Sequence, residues 1–162
     1  MKTIKLTQGF EAMVDDEDFE FLNRFKWCAW NPGGNKFYAV RQKEGTGHHG
    51  VIIKMHKEIM LPPQGKIVDH ISGDGLDNRR RNLRICTVAE NCYNKTKLPT
   101  NPSGFKNVYR SGNQGKWKVE VGKNGVQYFG GVFISKLEAA KKANELMLKL
   151  HGEFARLNVI PK

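Results

Sequence analysis

Residues 68–91 of the 162-residue chain, VDHISGDGLDNRRRNLRICTVAEN, gather the side chains best suited to do chemistry. Asp69 and Asn91 present oxygens, the hard ligands that Mg²⁺ or Mn²⁺ favours, and two protein ligands leave positions open to water and phosphate. His70 follows Asp69 directly. With an ordinary pKa of about 6.5 it suits the removal of a proton from water at neutral pH. Asn82 stands just before the next apolar run, where its amide can tie loop backbone together and so aim His70. Arg79, Arg80, Arg81 and Arg84 are the candidates for holding phosphates, while a hard cation steadies a leaving oxygen. In the plainer reading one or two of these arginines only solvate the loop. An EF-hand is excluded, because Arg80 stands where a calcium loop counted from Asp69 needs glutamate.

These residues need elements to place them. KIVDHI and LRICT read as short strands on either side of the polar loop. TVAEN opens a helix with Thr87 as N-cap and Glu90 completing a capping box, which puts Asn91 near the positive end of the helix dipole. Upstream, TIKLTQGFEAMVD reads as two strands turning at Gln8-Gly9, and DDEDFEFLNRF as a short helix capped by Asp15 or Asp16. KWCAW and KFYAVRQ form a hairpin across NPGGN, and after the loop EGTGHHG, VIIKMHKEIML is a strand running into a helix that stops before Pro62-Pro63. TKLPTNPSG is a linker.

Downstream, KNVYRS, GKWKVEVG and VQYFGG are three strands, and SKLEAAKKANELMLKLHG is a helix capped by Ser135 and ended by Gly152. Its stripe of Leu137, Ala140, Ala143 (or Asn144), Met147 and Leu150 packs on the sheet. Alternation turns Val108, Trp117, Val119, Val121 and Phe129 inward, and Lys106, Tyr109, Ser111, Lys116, Lys118, Glu120 and Tyr128 outward. Such an outer face suits entry into a major groove of double-stranded DNA. The residues alone leave that reading level with an unspecialised basic sheet.

Charge favours a polyanionic partner: the net formal charge is +11, and residues 101–162 hold 11 Lys/Arg against 4 Asp/Glu. Residues 1–65 are nearly balanced, with 9 against 8. The three cysteines include no C-x-x-C pair, which argues against a zinc ribbon or a disulfide framework. No apolar stretch is long enough to span a bilayer, and the start lacks a secretory pattern, so the expectation is a cytoplasmic protein with no membrane partner.

Two family resemblances sharpen these expectations. Residues 68–91 resemble the HNH endonuclease motif of phage- and intron-encoded homing endonucleases, and the lead MHKEIM is similar to theirs. The resemblance implies a ββα-metal fold, Asp69 and Asn91 as metal ligands, His70 as general base and Asn82 as the loop-holding asparagine. His56, in that lead, is expected to pack or to contact phosphate rather than to catalyse. Residues 103–158, above all the closing HGEFARLN, resemble the Apetala-two/ethylene-response-factor DNA-binding domain, with Asn107 where that family usually has glycine. The implied fold is α+β: an N-terminal αβ platform (1–65), a ββα-metal nuclease motif (66–97), a linker (98–102), and a three-stranded antiparallel sheet packed on one helix (103–158). The expected activity is Mg²⁺-assisted hydrolysis of DNA leaving a 5′ phosphate and a 3′ hydroxyl. One site per chain implies a monomer that nicks, and a dimer or a second binding event where both strands are cut. The competing class is a DNA-binding regulator that does not cut. An RNA-binding module is the weaker third, since Tyr109 and Tyr128 alone offer little for stacking on single-stranded bases.

Overall fold

The computed structural model describes residues 1–43, 45, 50–97, 100–112 and 115–161. Most of the loop EGTGHHG, Leu98 and Pro99 of the expected linker, and the Asn113-Gln114 turn lie outside the described residues. The chain divides into two compact units, 1–88 and 89–162, so the division falls within the segment 66–97.

In the first unit, β1 (Lys2–Lys5) and β2 (Glu11–Val14) pair antiparallel, and Gly9 supplies the positive φ of their turn. Ile4, Ala12 and Val14 face the core. Helix α1 (Asp16–Leu22) buries Leu22 beside Trp27, whose indole N–H donates to the Leu22 carbonyl at 2.8 Å. Asp15 occupies the N-cap position, but its carboxylate does not cap the helix. It accepts instead from the backbone N–H of Arg80, 65 residues away. Strands β3 (Cys28–Trp30), β4 (Tyr38–Gln42) and β5 (Ile52–Lys54) form an antiparallel sheet in that order. Helix α2 (Met55–Met60) follows and buries Met55, His56 and Ile59. It stops at Leu61, in left-handed conformation, ahead of the two prolines.

β6 (Ile67–His70) and β7 (Leu83–Cys86) make a two-stranded ribbon in which Asp69 pairs with Arg84 and His70 with Leu83. The intervening loop is stitched to the free edge of β2: Met13 N–H donates to the Leu76 carbonyl and Asn78 N–H to the Met13 carbonyl. Val68 and Leu83 join Ile4, Val14, Leu22, Trp27 and Met55 in one apolar core.

Helix α3 (Val88–Tyr93) begins at the division, and Asn91 belongs to the second unit. There, Tyr93 stacks flat on His151 with centroids 3.8 Å apart. Strands β8 (Val108–Ser111), β9 (Lys116–Lys123) and β10 (Val126–Phe133) form an antiparallel sheet with β9 central. Helix α4 (Lys136–His151) lies over it, and the Ser135 hydroxyl accepts from the backbone of Leu137 and Glu138 as expected of a cap. Val108, Val119 and Val121 meet Ala139, Ala140, Ala143 and Met147, all buried. The expected stripe is corrected at one position: Leu137 is exposed and Ala139 takes its place. Small helix residues let the backbones approach. A Cβ on Gly130 would fall 2.7 Å from Val119 Cγ1, so β10 needs glycine there. Asn107 has a φ of 61°, a left-handed backbone that asparagine tolerates better than most residues other than glycine.

Candidate active site

The loop between β6 and β7 is built almost wholly from satisfied polar groups. Asn82 closes it: its Oδ1 accepts from Ser72 N–H at 2.9 Å and its Nδ2 donates to the Asp77 carbonyl at 2.7 Å. The loop-tying geometry expected of Asn82 is therefore present, and the residue is buried. Asp77 receives Arg79 through both oxygens, at 2.7 and 2.6 Å. That guanidinium holds the Asp77 carboxyl below its ordinary pKa.

His70 is buried with only 5% of its surface exposed. Its Nε2 faces Oδ1 of Asn78 at 3.3 Å, at the long end for a hydrogen bond. Asn78 is fully buried and its Nδ2 donates to the carbonyls of Leu76 and Gly75. Those two acceptors orient the amide, so Oδ1 must be the atom turned to His70. A neutral His70 then carries its proton on Nε2 and its lone pair on Nδ1. Burial pushes the His70 pKa below the ordinary histidine value, against the opposing pull of Asn78 and of Asp69, Asp74 and Asp77. The ring is thus neutral at pH 7 and able to accept a proton. Asn78 went unassigned in the sequence. A local Leu-Asp-Asn turn gives no hint that its amide reaches back to a strand.

Asp69 is also buried, and its Oδ2 accepts from Arg84 Nε at 3.0 Å and Nη2 at 2.8 Å. As a donor the carboxylate fits a hard divalent cation, but such an ion has to share or displace the guanidinium. Among the described residues no group of three or more His, Cys, Asp or Glu is placed to hold a metal. Any ion at Asp69 would draw its other ligands from amide, water or phosphate oxygens, as Mg²⁺ readily does.

The four arginines separate. Arg79 pairs with Asp77 and Arg84 with Asp69, while Arg80 engages Asp18 through two nitrogens and Glu17 as well. Arg81 is exposed and, among the described residues, has no hydrogen bond or ion pair. The acidic first turn of α1 is what draws Arg80, a pairing across more than 60 residues that local reading could not supply.

In the second unit the outer sheet face is partly as expected. Tyr109 pairs with Lys118 and Ser111 with Lys116, and Lys118 bridges Glu120 on the same face at 2.9 Å. Two positions are corrected. Tyr128 pairs with inward Val121, although it stays 39% exposed and outside the core cluster, and Phe129 pairs with outward Glu120, so their faces are exchanged. The two-residue turn at Asn124-Gly125 sets this register, and the irregularity between Phe129 and Gly131 then restores Phe133 to the core side. Phe129 is accordingly 65% exposed, and Val132, paired with Lys118, is exposed too. Lys106 is half-buried, with its ammonium on the Tyr93 carbonyl, and burial lowers its pKa to about 8. It is held inside the unit, where the Asn158 amide brackets its backbone on both sides.

Residues 48–93 match the HNH endonuclease family. The chain is 28% identical over 159 residues to an uncharacterized HNH endonuclease of Acanthamoeba polyphaga mimivirus, covering 94% of this chain and 77% of that protein. It is 33% identical over 96 residues to Protein 3.8 of Escherichia phage T7, covering 58% of this chain and 77% of that one. No solved structure matches it significantly.

Proposed function

Because the chain belongs to the HNH endonuclease family, we propose that it is a site-specific, homing-type endonuclease that hydrolyses phosphodiester bonds of double-stranded DNA. The observation that carries this reading is His70. It is a buried imidazole whose Nε2 faces Asn78 and whose pKa burial lowers, a neutral ring suited to take a proton from the attacking water. Asn82 keeps the loop closed beneath it. A divalent cation, Mg²⁺ or Mn²⁺, held by Asp69 would stabilise the charge that develops on the leaving 3′ oxygen. Asn91, the second expected ligand, stands on the sequence reading alone. Arg81 is the arginine best suited to a neighbouring phosphate, whereas Arg79, Arg80 and Arg84 would first have to leave carboxylates.

The outer sheet face of the second unit would supply sequence-tolerant affinity. Lys116 and Lys118 meet phosphates, and Tyr109, Phe129 and Val132 contribute apolar contact to sugar edges or thymine methyls. One observation favours a second reading, a regulator that binds DNA without cutting: Asp69 is already engaged by Arg84.

Supercoiled plasmid incubated with the wild type and with His70→Ala, each in Mg²⁺ and in EDTA, separates the two. Open-circle product from the wild type with Mg²⁺ alone supports the nuclease, and linear product shows that both strands are cut. If both proteins bind the plasmid tightly and neither cuts it, the regulator stands.

A further inference from the structure

Three rings of the first unit close on one another. His56 and His70 lie with centroids 4.8 Å apart and planes at 84°. Tyr38 stands 5.8 Å from His56 and 5.7 Å from His70. They come from three separate elements: β4, the start of α2 and the end of β6. Tyr38 is itself covered by the β6–β7 loop. A Cβ on Gly75 would fall 2.6 Å from Tyr38 Cδ1 and 2.3 Å from the Phe37 carbonyl oxygen, so the loop backbone rests directly on that ring.

Among the described residues the His56 ring has no hydrogen-bonding partner. Its Nδ1 is buried without one there, an arrangement that costs about 1–3 kcal/mol. Burial, more than the neighbouring His70, Lys54 and Lys57, holds its pKa at about 3, so it stays an uncharged ring. What it does have is contact with His70. The long bond to Asn78 holds one nitrogen of His70, while the torsion that joins an imidazole to its Cβ is broad and by itself lets a ring tilt. Rings on two flanks remove the tilt.

We propose that His56 is a positioning residue for His70: its ring, together with Tyr38, fixes the plane of the His70 imidazole against Asn78, and its own nitrogens take no part in the reaction. This deepens, and rests on, the nuclease reading above. A proton acceptor displaced by about 1 Å loses on the order of 100-fold in rate, which is the scale on which such a seat matters.

The test compares single-turnover cleavage, DNA affinity and melting temperature for the wild type, His56→Leu, His56→Phe and Tyr38→Leu. Leucine keeps the bulk without the ring and removes the unpartnered nitrogen, so His56→Leu is expected to melt no lower than the wild type. It should nevertheless cut at least about tenfold more slowly at unchanged DNA affinity, while His56→Phe recovers to within about threefold of the wild-type rate. Tyr38→Leu removes the other flank and should slow cleavage in the same way, which keeps the comparison alive if a His56 variant fails to fold. Full-rate cleavage by His56→Leu or Tyr38→Leu overturns the seat. A folded His56→Phe as slow as His56→Leu overturns it too, by showing that a nitrogen is used. A wild type that binds DNA and does not cut is a different result, and it defeats the nuclease reading itself.

Discussion

The β6–β7 loop and the β8–β10 sheet use polar residues in opposite ways. In the loop and at the end of β6 that enters it, Asp69, His70, Asp77, Asn78 and Asn82 are all buried, and their hydrogen bonds hold the segment in place. In the sheet, inner valines pack on the alanines of α4 to make the core, and Lys116, Tyr109 and Phe129 are left to solvent. The first arrangement fixes a geometry, so each member depends on the rest. The second presents a surface, whose contacts add roughly independently. Removing one group should therefore be costly in the loop and mild on the sheet.

The largest break is expected at the Asp69–Arg84 pair, both of whose side chains are no more than 10% exposed. Arg84→Met takes the paired guanidinium from a buried carboxylate and should lower unfolding free energy by about 3–5 kcal/mol in urea titrations with EDTA. Added Mg²⁺ should restore part of that loss if Asp69 is a cation ligand. Unchanged stability with and without Mg²⁺ would place neither role at Asp69.

Asn82→Ala comes next. It strands the Ser72 N–H and the Asp77 carbonyl, and should cost about 2–4 kcal/mol as a shifted denaturation midpoint, with cleavage falling further than DNA binding. Equal losses of cutting and binding would mean that the loop does not aim His70.

Acid provides a graded version of the same test. His56 titrates at about 3 when folded and near 6.5 when unfolded, so below about pH 6.5 the unfolded chain takes up the proton that the folded chain refuses. Stability is unaffected by this group above that pH and declines as pH falls towards 3, by up to about 1.4 kcal/mol per pH unit. Unfolding curves of wild type and His56→Leu should diverge over that window, with the variant the flatter of the two.

The smallest effect belongs to the sheet. Lys118→Ala should weaken DNA binding several-fold at low salt and reduce the dependence of log K on log salt by about 1, without altering stability. A loss of sequence preference instead would indicate contact with bases.

What was legible in the sequence follows the same division. Strand alternation, turn residues and caps are local signals, and they located the hairpins, α4 with its Ser135 cap, and the strands that frame His70. The partners of Arg80 and Tyr38 are set by the tertiary fold and no window of the sequence contains them, whereas Asn78 and His70 share a window and only the folded loop shows that they meet. Register is the intermediate case. The Asn124-Gly125 turn predicts a hairpin, yet only the observed pairing shows that Tyr128 and Phe129 exchange faces, because a shift of one residue inverts every side chain. Lys106 was misplaced for a related reason: it precedes β8, where alternation no longer governs direction.

The stitching of the loop to the N-terminal elements bears on portability. A graft of residues 66–97 into another scaffold would arrive with Arg80 cut off from Asp15, Glu17 and Asp18, and with Asn78 and Leu76 lacking the strand edge at Met13. His70 would also lose the two rings beside it. The recognisable motif is shorter than the machine, whose smallest transferable part begins with the first strand.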